Sequence, residues 1–306
     1  MYIKPIIKDN PSQKLRWIYL LAIAIACWLT ATGGVHADPA NPRPKEVDLE
    51  IENMSAFTGP DSFVQVRENS TEGTRLGLPD LGIHAAQIPG LNAAYWMNER
   101  NFLNLQLRYF AVRGSHFIKD PANFNGATIA GGQTVQTDPL WYSVGISYGH
   151  RWTPPNFNGW DLMARAGFEY TFINFILNKG HAAVTPDSTG TETKEDFYLQ
   201  ELPVPTMALE LRRRVTSNLT AEGSIEGNWI NHWNSQRTEG GTIYLSQRKL
   251  EAHVRIRLSN GRRFKSIHPM IGVFYYNFRQ EEESAEDGNL IRWSSFGPEL
   301  GLGYEF

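Results

Sequence analysis

The sequence predicts an all-β protein, a closed antiparallel up-and-down transmembrane β-barrel of about ten strands (range about eight to twelve). Three observations predict it. Apolar residues recur at every second position in segment after segment. The connections between those segments alternate between short and long. After residue 37 no stretch approaches the roughly eighteen apolar residues that a membrane helix needs.

The first 37 residues stand apart. Lys4, Lys8, Lys14 and Arg16 precede an apolar run over 17–29, and small residues lead to Val35, His36 and Ala37 before Asp38. That order is a secretory signal peptide, with cleavage expected after Ala37, and its apolar run is too short to span a bilayer comfortably. Cys27, the only cysteine of the 306 residues, falls inside it; processing there as a lipoprotein is the minor alternative. Residues 38–46 are Pro-rich and polar and read as a flexible lead-in, and 47–306 as the barrel domain. The leader holds four basic residues and one acidic. Of 29 basic and 32 acidic residues this leaves 25 and 31, a net charge of −6, which argues against a nucleic-acid partner.

Within the barrel domain, segment 102–110 places Leu103, Leu105, Leu107 and Tyr109 on one face and Asn104, Gln106 and Arg108 on the other. Segment 140–150 sets Leu140, Tyr142, Val144, Ile146 and Tyr148 against Ser143, Gly145, Ser147 and Gly149. In 160–171 the second face carries Asp161, Arg165 and Glu169; in 219–229, Glu222, Ser224 and Glu226; in 250–258, Glu251, His253, Arg255 and Arg257. The last segment opposes Phe296, Leu300, Leu302, Tyr304 and Phe306 to Glu299, Gly301, Gly303 and Glu305.

Counting back from Phe306 gives strands near 289–306, 264–280, 240–258, 218–232, 196–214, 160–175, 138–150, 102–113 and 87–96. Segment 47–57 supplies a tenth. Segments 62–68 and 74–78 read either as two further strands or as a plug in the lumen. Pro203 and Pro205 cannot donate to a ladder, so the long 196–214 segment should bend or begin anew there. Short connections at 97–101, 153–159, 216–218 and 260–262 interleave with long polar ones near 115–137, 177–195, 233–240 and 281–288. That rhythm is that of a membrane barrel with short periplasmic turns and long outer loops.

The polar strand faces predict a charged lumen built from Arg108, Arg165, Glu169, Glu210, Arg212, Glu222, Glu226, Glu251, His253, Arg255, Arg257 and Glu299. Buried charges must pair or meet water, so a salt-bridge network is the expected arrangement. Tyr95, Trp96, Trp152, Trp160, Trp229 and Trp233 fall near strand ends, where interfacial girdles sit. Arg213 and Arg214 are expected at the turn rim, exposed to solvent.

The ending with Leu300, Leu302, Tyr304 and Phe306 resembles the C-terminal signal of bacterial outer-membrane barrels. The stretch 64–68, Asp80 to Gly82 and Ala94 to Trp96 is similar to small barrels of the same superfamily. The resemblance implies a place in the outer membrane of a Gram-negative cell. It also implies reading of those four residues by the barrel-assembly machinery, and contact with outer-membrane lipid and lipopolysaccharide.

Candidate chemistry is sparse. Ser115 with His116, and His232 with Ser235, are the neighbours that a lipid-modifying Ser/His enzyme could use, but no clearly spaced acid accompanies either. His253 between Glu251 and Arg255 reads as a hydrogen-bonded lumen residue. The pairs Asn125-Gly126 and Gly131-Gly132 are loop chemistry, since no helix follows them to cradle a phosphate. No cofactor and no metal are expected. Function divides between a small pore, transport or structural barrel, an envelope lipid-modifying enzyme, and an adhesion barrel acting through loops 115–137 and 177–195.

Overall fold

The computed structural model describes residues 46–68, 72–124, 127–152, 160–177, 196–199, 202–234, 243–258, 267–284 and 287–305. The leader, most of the lead-in and Phe306 lie outside them. Ten long strands form the wall: β1 (Glu46–Thr58), β2 (Ala85–Trp96), β3 (Asn101–Tyr109), β4 (Leu140–Trp152), β5 (Trp160–Ile176), β6 (Val204–Thr216), β7 (Leu219–Asn234), β8 (Tyr244–Leu258), β9 (Ile267–Glu283) and β10 (Asp287–Glu305). Each pairs antiparallel with its neighbours in sequence, and β1 pairs with β10, from Asp48 opposite Glu305 to Thr58 opposite Ser295. The ladder therefore closes on itself and leaves no edge among these ten strands.

At one end, called here the turn end, the connections are 97–100, 153–159, 217–218 and 259–266; the loop end carries 59–84, 110–139, 177–203, 235–243 and 284–286. The alternation of short and long links read from the sequence holds except at 284–286. There β9 and β10 stay paired out to Glu283 opposite Gly288, so most of the expected long loop at 281–288 belongs to the ladder. Polar residues in that stretch signalled a loop, yet a ladder projecting past the wall can carry them on both faces.

Segments 62–68 and 74–78 are neither wall-spanning strands nor a free plug. After a bend at 59–62, the strand Phe63–Glu68 resumes the path of β1 along the loop-end half of β10, with Phe63 opposite Arg292 and Glu68 opposite Asp287. Asp61 and Ser62 pin the bend: Ser294 donates from its hydroxyl to Asp61 at 2.5 Å and from its backbone N–H to the Ser62 hydroxyl at 3.0 Å. The chain then doubles back through Leu76–Gly77, and a single 3₁₀ turn at Pro79–Leu81 ends on Gly82, whose φ of 78° suits glycine.

The expected strand 102–113 stops at Tyr109. The Phe110 carbonyl accepts from Val112 N–H at 3.0 Å, a three-residue turn that bends the chain over the mouth. The presumed polar loop 115–137 is instead two small hairpins, Gly114–Ile118 with Gln133–Thr137 and Ala122–Phe124 with Ala127–Ile129. They bury Ala122, Phe124, Ile129 and Val135. Segment 196–214 breaks where its prolines stand: Asp196–Leu199 pairs separately with β5, and β6 begins at Val204. The 178–195 loop lies outside the described residues.

Alternation fixes the two faces of the wall. Outside lie Ile146, Val254, Phe296 and Leu300, each 59–64% exposed, with a continuous set of other apolar side chains around the barrel. Most aromatic side chains on this face gather in two bands, Tyr95, Tyr148, Trp152 and Tyr304 toward the turn end and Phe57, Tyr109, its ladder partner Tyr142, Tyr275 and Phe296 toward the loop end, with Phe168 between them.

Candidate functional site

The lumen is stratified along its axis, and each stratum is assigned by how far along its strand an inward side chain sits. On β1, Glu50 and Glu52 point inward at the turn-end half, whereas Met54 and Ala56, two and four residues further on the same face, enter an apolar cluster. On β3, Arg108 ends the polar series and Phe110 opens the apolar one.

In the polar layer Arg108 reaches two walls. Its Nη1 donates to Glu251 on β8 and its Nη2 lies 3.4 Å from Glu52 on β1. Strands β3 and β8 are five places apart in a ring of ten, so this pair crosses the full width of the lumen. Lys249, two residues before Glu251, bonds to Glu169 on β5 and sits 2.8 Å from Glu226 on β7 and 3.5 Å from Glu251. Arg255 lies 3.3–3.6 Å from Glu50, Glu52 and Glu299. Arg257 bonds to Glu50 and its Nε lies 2.8 Å from Glu222; Arg212 bonds to Glu210 and lies 3.5 Å from Glu222. Arg165 lies 3.4 Å from Glu226.

His253 stands between two carboxylates, with Nε2 2.5 Å from Glu251 and Nδ1 2.7 Å from Glu299. Both ring nitrogens are thus within hydrogen-bond distance of a carboxylate oxygen. Eight glutamates (Glu50, Glu52, Glu169, Glu210, Glu222, Glu226, Glu251, Glu299) face Arg108, Arg165, Arg212, Lys249, Arg255, Arg257 and this histidine, so acids and bases nearly balance. Buried charges at this density are tolerable only because each lies beside opposite charge, most with a hydrogen bond as well.

Gly90 makes room for the arrangement. A Cβ there would come within 2.9 Å of the Glu52 side chain, directly opposite Arg108 in the ladder. Toward the turn end a polar cavity of about 40 Å³ remains, lined among others by Asp48, Asn92, Trp96, Asn104, Glu210 and Arg255. Space of that size holds one or two waters.

Above the charges lies a dry layer. Trp141 of β4 packs on Trp293 of β10 at 4.9 Å and on Phe278 of β9 at 5.5 Å, and Phe110 stacks on Trp141 at 4.8 Å. Val64, Val66, Leu78, Leu81 and Ile83 from 59–84 and Phe124, Ile129 and Val135 from 110–139 close over these rings. Since β4 and β9 are also five places apart, this layer too spans the lumen.

All twelve charged residues singled out in the sequence thus face the lumen. Glu50, Glu52 and Lys249 belong with them and were not singled out. The signal was present: Glu50 and Glu52 alternate with Leu49 and Ile51, and Lys249 precedes Glu251 and His253 in the same period. Leu300, Leu302 and Tyr304 project outward from β10. Of the serine and histidine neighbours, Ser115 and His116 sit exposed on the Gly114–Ile118 strand, and the His232 ring stacks on Tyr244 at 3.8 Å. Ser235 lies outside the described residues.

No family sequence model matches the chain, and no curated protein does. Among solved structures it is similar to the outer membrane protein OprG from Pseudomonas aeruginosa, at 10% identity and a TM-score of 0.35, covering 86% of this chain and 97% of that one. It is similar to the translocator domain of the autotransporter NalP from Neisseria meningitidis, at 10% identity and a TM-score of 0.37, covering 97% and 98%. The transport unit of the autotransporter AIDA-I from Escherichia coli gives 11% identity and a TM-score of 0.41, covering 90% and 94%. The barrel itself rests on the chain's own closed ladder.

Proposed function

We propose that the chain is an integral outer-membrane barrel whose lumen is sealed by its own side chains, and that it serves as a structural envelope protein rather than an open pore. The membrane reading is supported by the apolar outer face between two aromatic bands. A face so continuous would be an aggregation hazard in water and is what a bilayer requires. The bands are spaced to suit: Tyr142 to Trp152 on β4 is ten residues, and about ten tilted residues cross the hydrocarbon. On this reading the turn end faces the periplasm, outer-membrane lipid and lipopolysaccharide surround the wall, and the barrel-assembly machinery reads Leu300, Leu302, Tyr304 and Phe306 after export.

The single observation that carries the sealed lumen is the Arg108–Glu251 pair across the full diameter, with the aromatic layer stacked above it. A transport role would have to displace both layers. The test is single-channel recording of the refolded protein in planar bilayers alongside its heat-modifiable gel mobility. A heat-shifted species without conductance supports the reading, and steady conductance steps from the unmodified chain overturn it.

A further inference from the structure

The turn-end rim carries a patch that the sealed lumen does not use. At the start of β5 the Trp160 ring faces outward, and the guanidinium of Arg213, its direct partner on β6, lies over it at 5.1 Å. Arg214 follows in the ladder and so takes the opposite, lumen-side face of β6; both arginines are exposed. On the other side of β5, Trp152 ends β4 with 43% of its surface exposed. Arg100, also exposed, is tied there by its carbonyl, which accepts from Arg151 N–H at 2.6 Å. Exposed Arg213 and Arg100 thus stand beside two tryptophans along one side of the rim.

The acids nearby leave this charge largely uncompensated. Asp161 is engaged by Arg151 at 2.5 Å, and Glu210 by Arg212 inside the lumen. Glu99, beside Arg100, is the other acid at this side of the rim. A guanidinium lying over an indole keeps its N–H edges free for an oxyanion, while the ring settles at the depth of lipid headgroups.

We propose that this patch binds the phosphate of an anionic glycerophospholipid in the leaflet at the turn end, with Arg213 as the main ligand, Arg100 contributing charge, and Trp152 and Trp160 packing on the glycerol and upper acyl region. The proposal rests on the membrane reading above. It commits to an anionic phospholipid because the patch is a cluster of positive charge bounded by interfacial aromatics, chemistry that suits a phosphate at the edge of hydrocarbon.

The experiment compares vesicles of phosphatidylcholine alone with vesicles that also contain phosphatidylglycerol, using the chain after Ala37, Arg100→Gln/Arg213→Gln, and Arg113→Gln at the loop end as control. Brominated phosphatidylglycerol and brominated phosphatidylcholine serve as quenchers of Trp160, whose signal is isolated as the difference from Trp160→Phe. Stronger quenching by the anionic lipid is expected for the unmodified chain and for Arg113→Gln. That preference should weaken about fivefold per arginine removed and fade at high ionic strength. Equal quenching by both lipids in the unmodified chain, or an undiminished preference in the double variant, overturns the proposal. Failure to fold into either vesicle sinks the membrane reading itself, a different result from folding without lipid preference.

Discussion

Arg108 and Glu251 approach from strands on opposite sides of the ring and meet within the lumen, each side chain no more than 3% exposed. Each is the other's partner across the ring, with Glu52 also beside Arg108 and Lys249 and His253 also beside Glu251. The relationship makes the pair a tie between opposite walls as well as a closure of the lumen.

Removing one partner is therefore expected to cost more than removing both. Arg108→Leu or Glu251→Leu alone should destabilise the barrel by about 3–5 kcal/mol, since each strands charge in the lumen, and the double variant should recover a large part of that loss. Urea midpoints of the heat-modifiable band in detergent would show it. Additive losses in the double variant would mean that the two side chains act independently.

The aromatic layer should seal the lumen even where the ionic layer is breached. Trp141→Ala is expected to cost about 3–5 kcal/mol through the cavity left among Phe110, Phe278 and Trp293. Neither Trp141→Ala nor Arg108→Ala alone should conduct. Single-channel recording of the combined variant is the informative measurement, because steady conductance should require both layers to be opened.

Much of this layering was absent from the sequence pattern for a physical reason. A period of two tells which face a side chain takes, so Arg165, Glu222, His253 and Glu299 could be assigned to one interior. It does not tell what covers that face at a given height. Trp141 shares the inward face of Ser143 and Gly145, and Phe110 shares that of Arg108. They become apolar core only because 59–84 and 110–139 fold back over the mouth, and that supply of partners is distant in sequence. Segment 115–137 reads as a loop because Gly, Asn and Thr punctuate it, with Phe124, Ile129 and Val135 too few per run to register as strands, whereas 62–68 and 74–78 fit either strands or a plug. The break at Pro203 and Pro205 was legible because a missing N–H is a local fact.

The clasp at the β1 bend should be acid-sensitive. Asp61 is held below the ordinary aspartate range, chiefly by the hydrogen bond from the Ser294 hydroxyl, which outweighs the opposing effect of burial, with Arg292 at 2.5 Å adding to it. A carboxyl with a depressed folded value contributes its stabilisation in full above the unfolded value near 3.8 and loses it as pH falls through the lower folded value. Protease sensitivity of 59–84 is therefore expected to rise below about pH 4 in the unmodified chain. In Asp61→Asn it should be raised already at neutral pH and change little on acidification. An identical acid response in both proteins would remove Asp61 from the clasp.

The outer face offers the sharpest separation of a bilayer from water as its solvent. Ile146 lies on β4 between Tyr142 and Trp152, 59% exposed, with its neighbours Leu105 and Phe168 also facing out. On the surface of a water-soluble barrel, Ile146→Arg would change stability by no more than about 0.5 kcal/mol, because an exposed arginine is at home in water. Near the middle of a bilayer the same change should cost about 2–4 kcal/mol, and Ile146→Leu should cost almost nothing. Folding into phosphatidylcholine vesicles, followed by heat-modifiable mobility across a urea series, measures the difference directly. A lowered midpoint for Ile146→Arg in vesicles, with Ile146→Leu unchanged, places the apolar belt in hydrocarbon. Equal midpoints for all three proteins would return that face to water and take the membrane role with it.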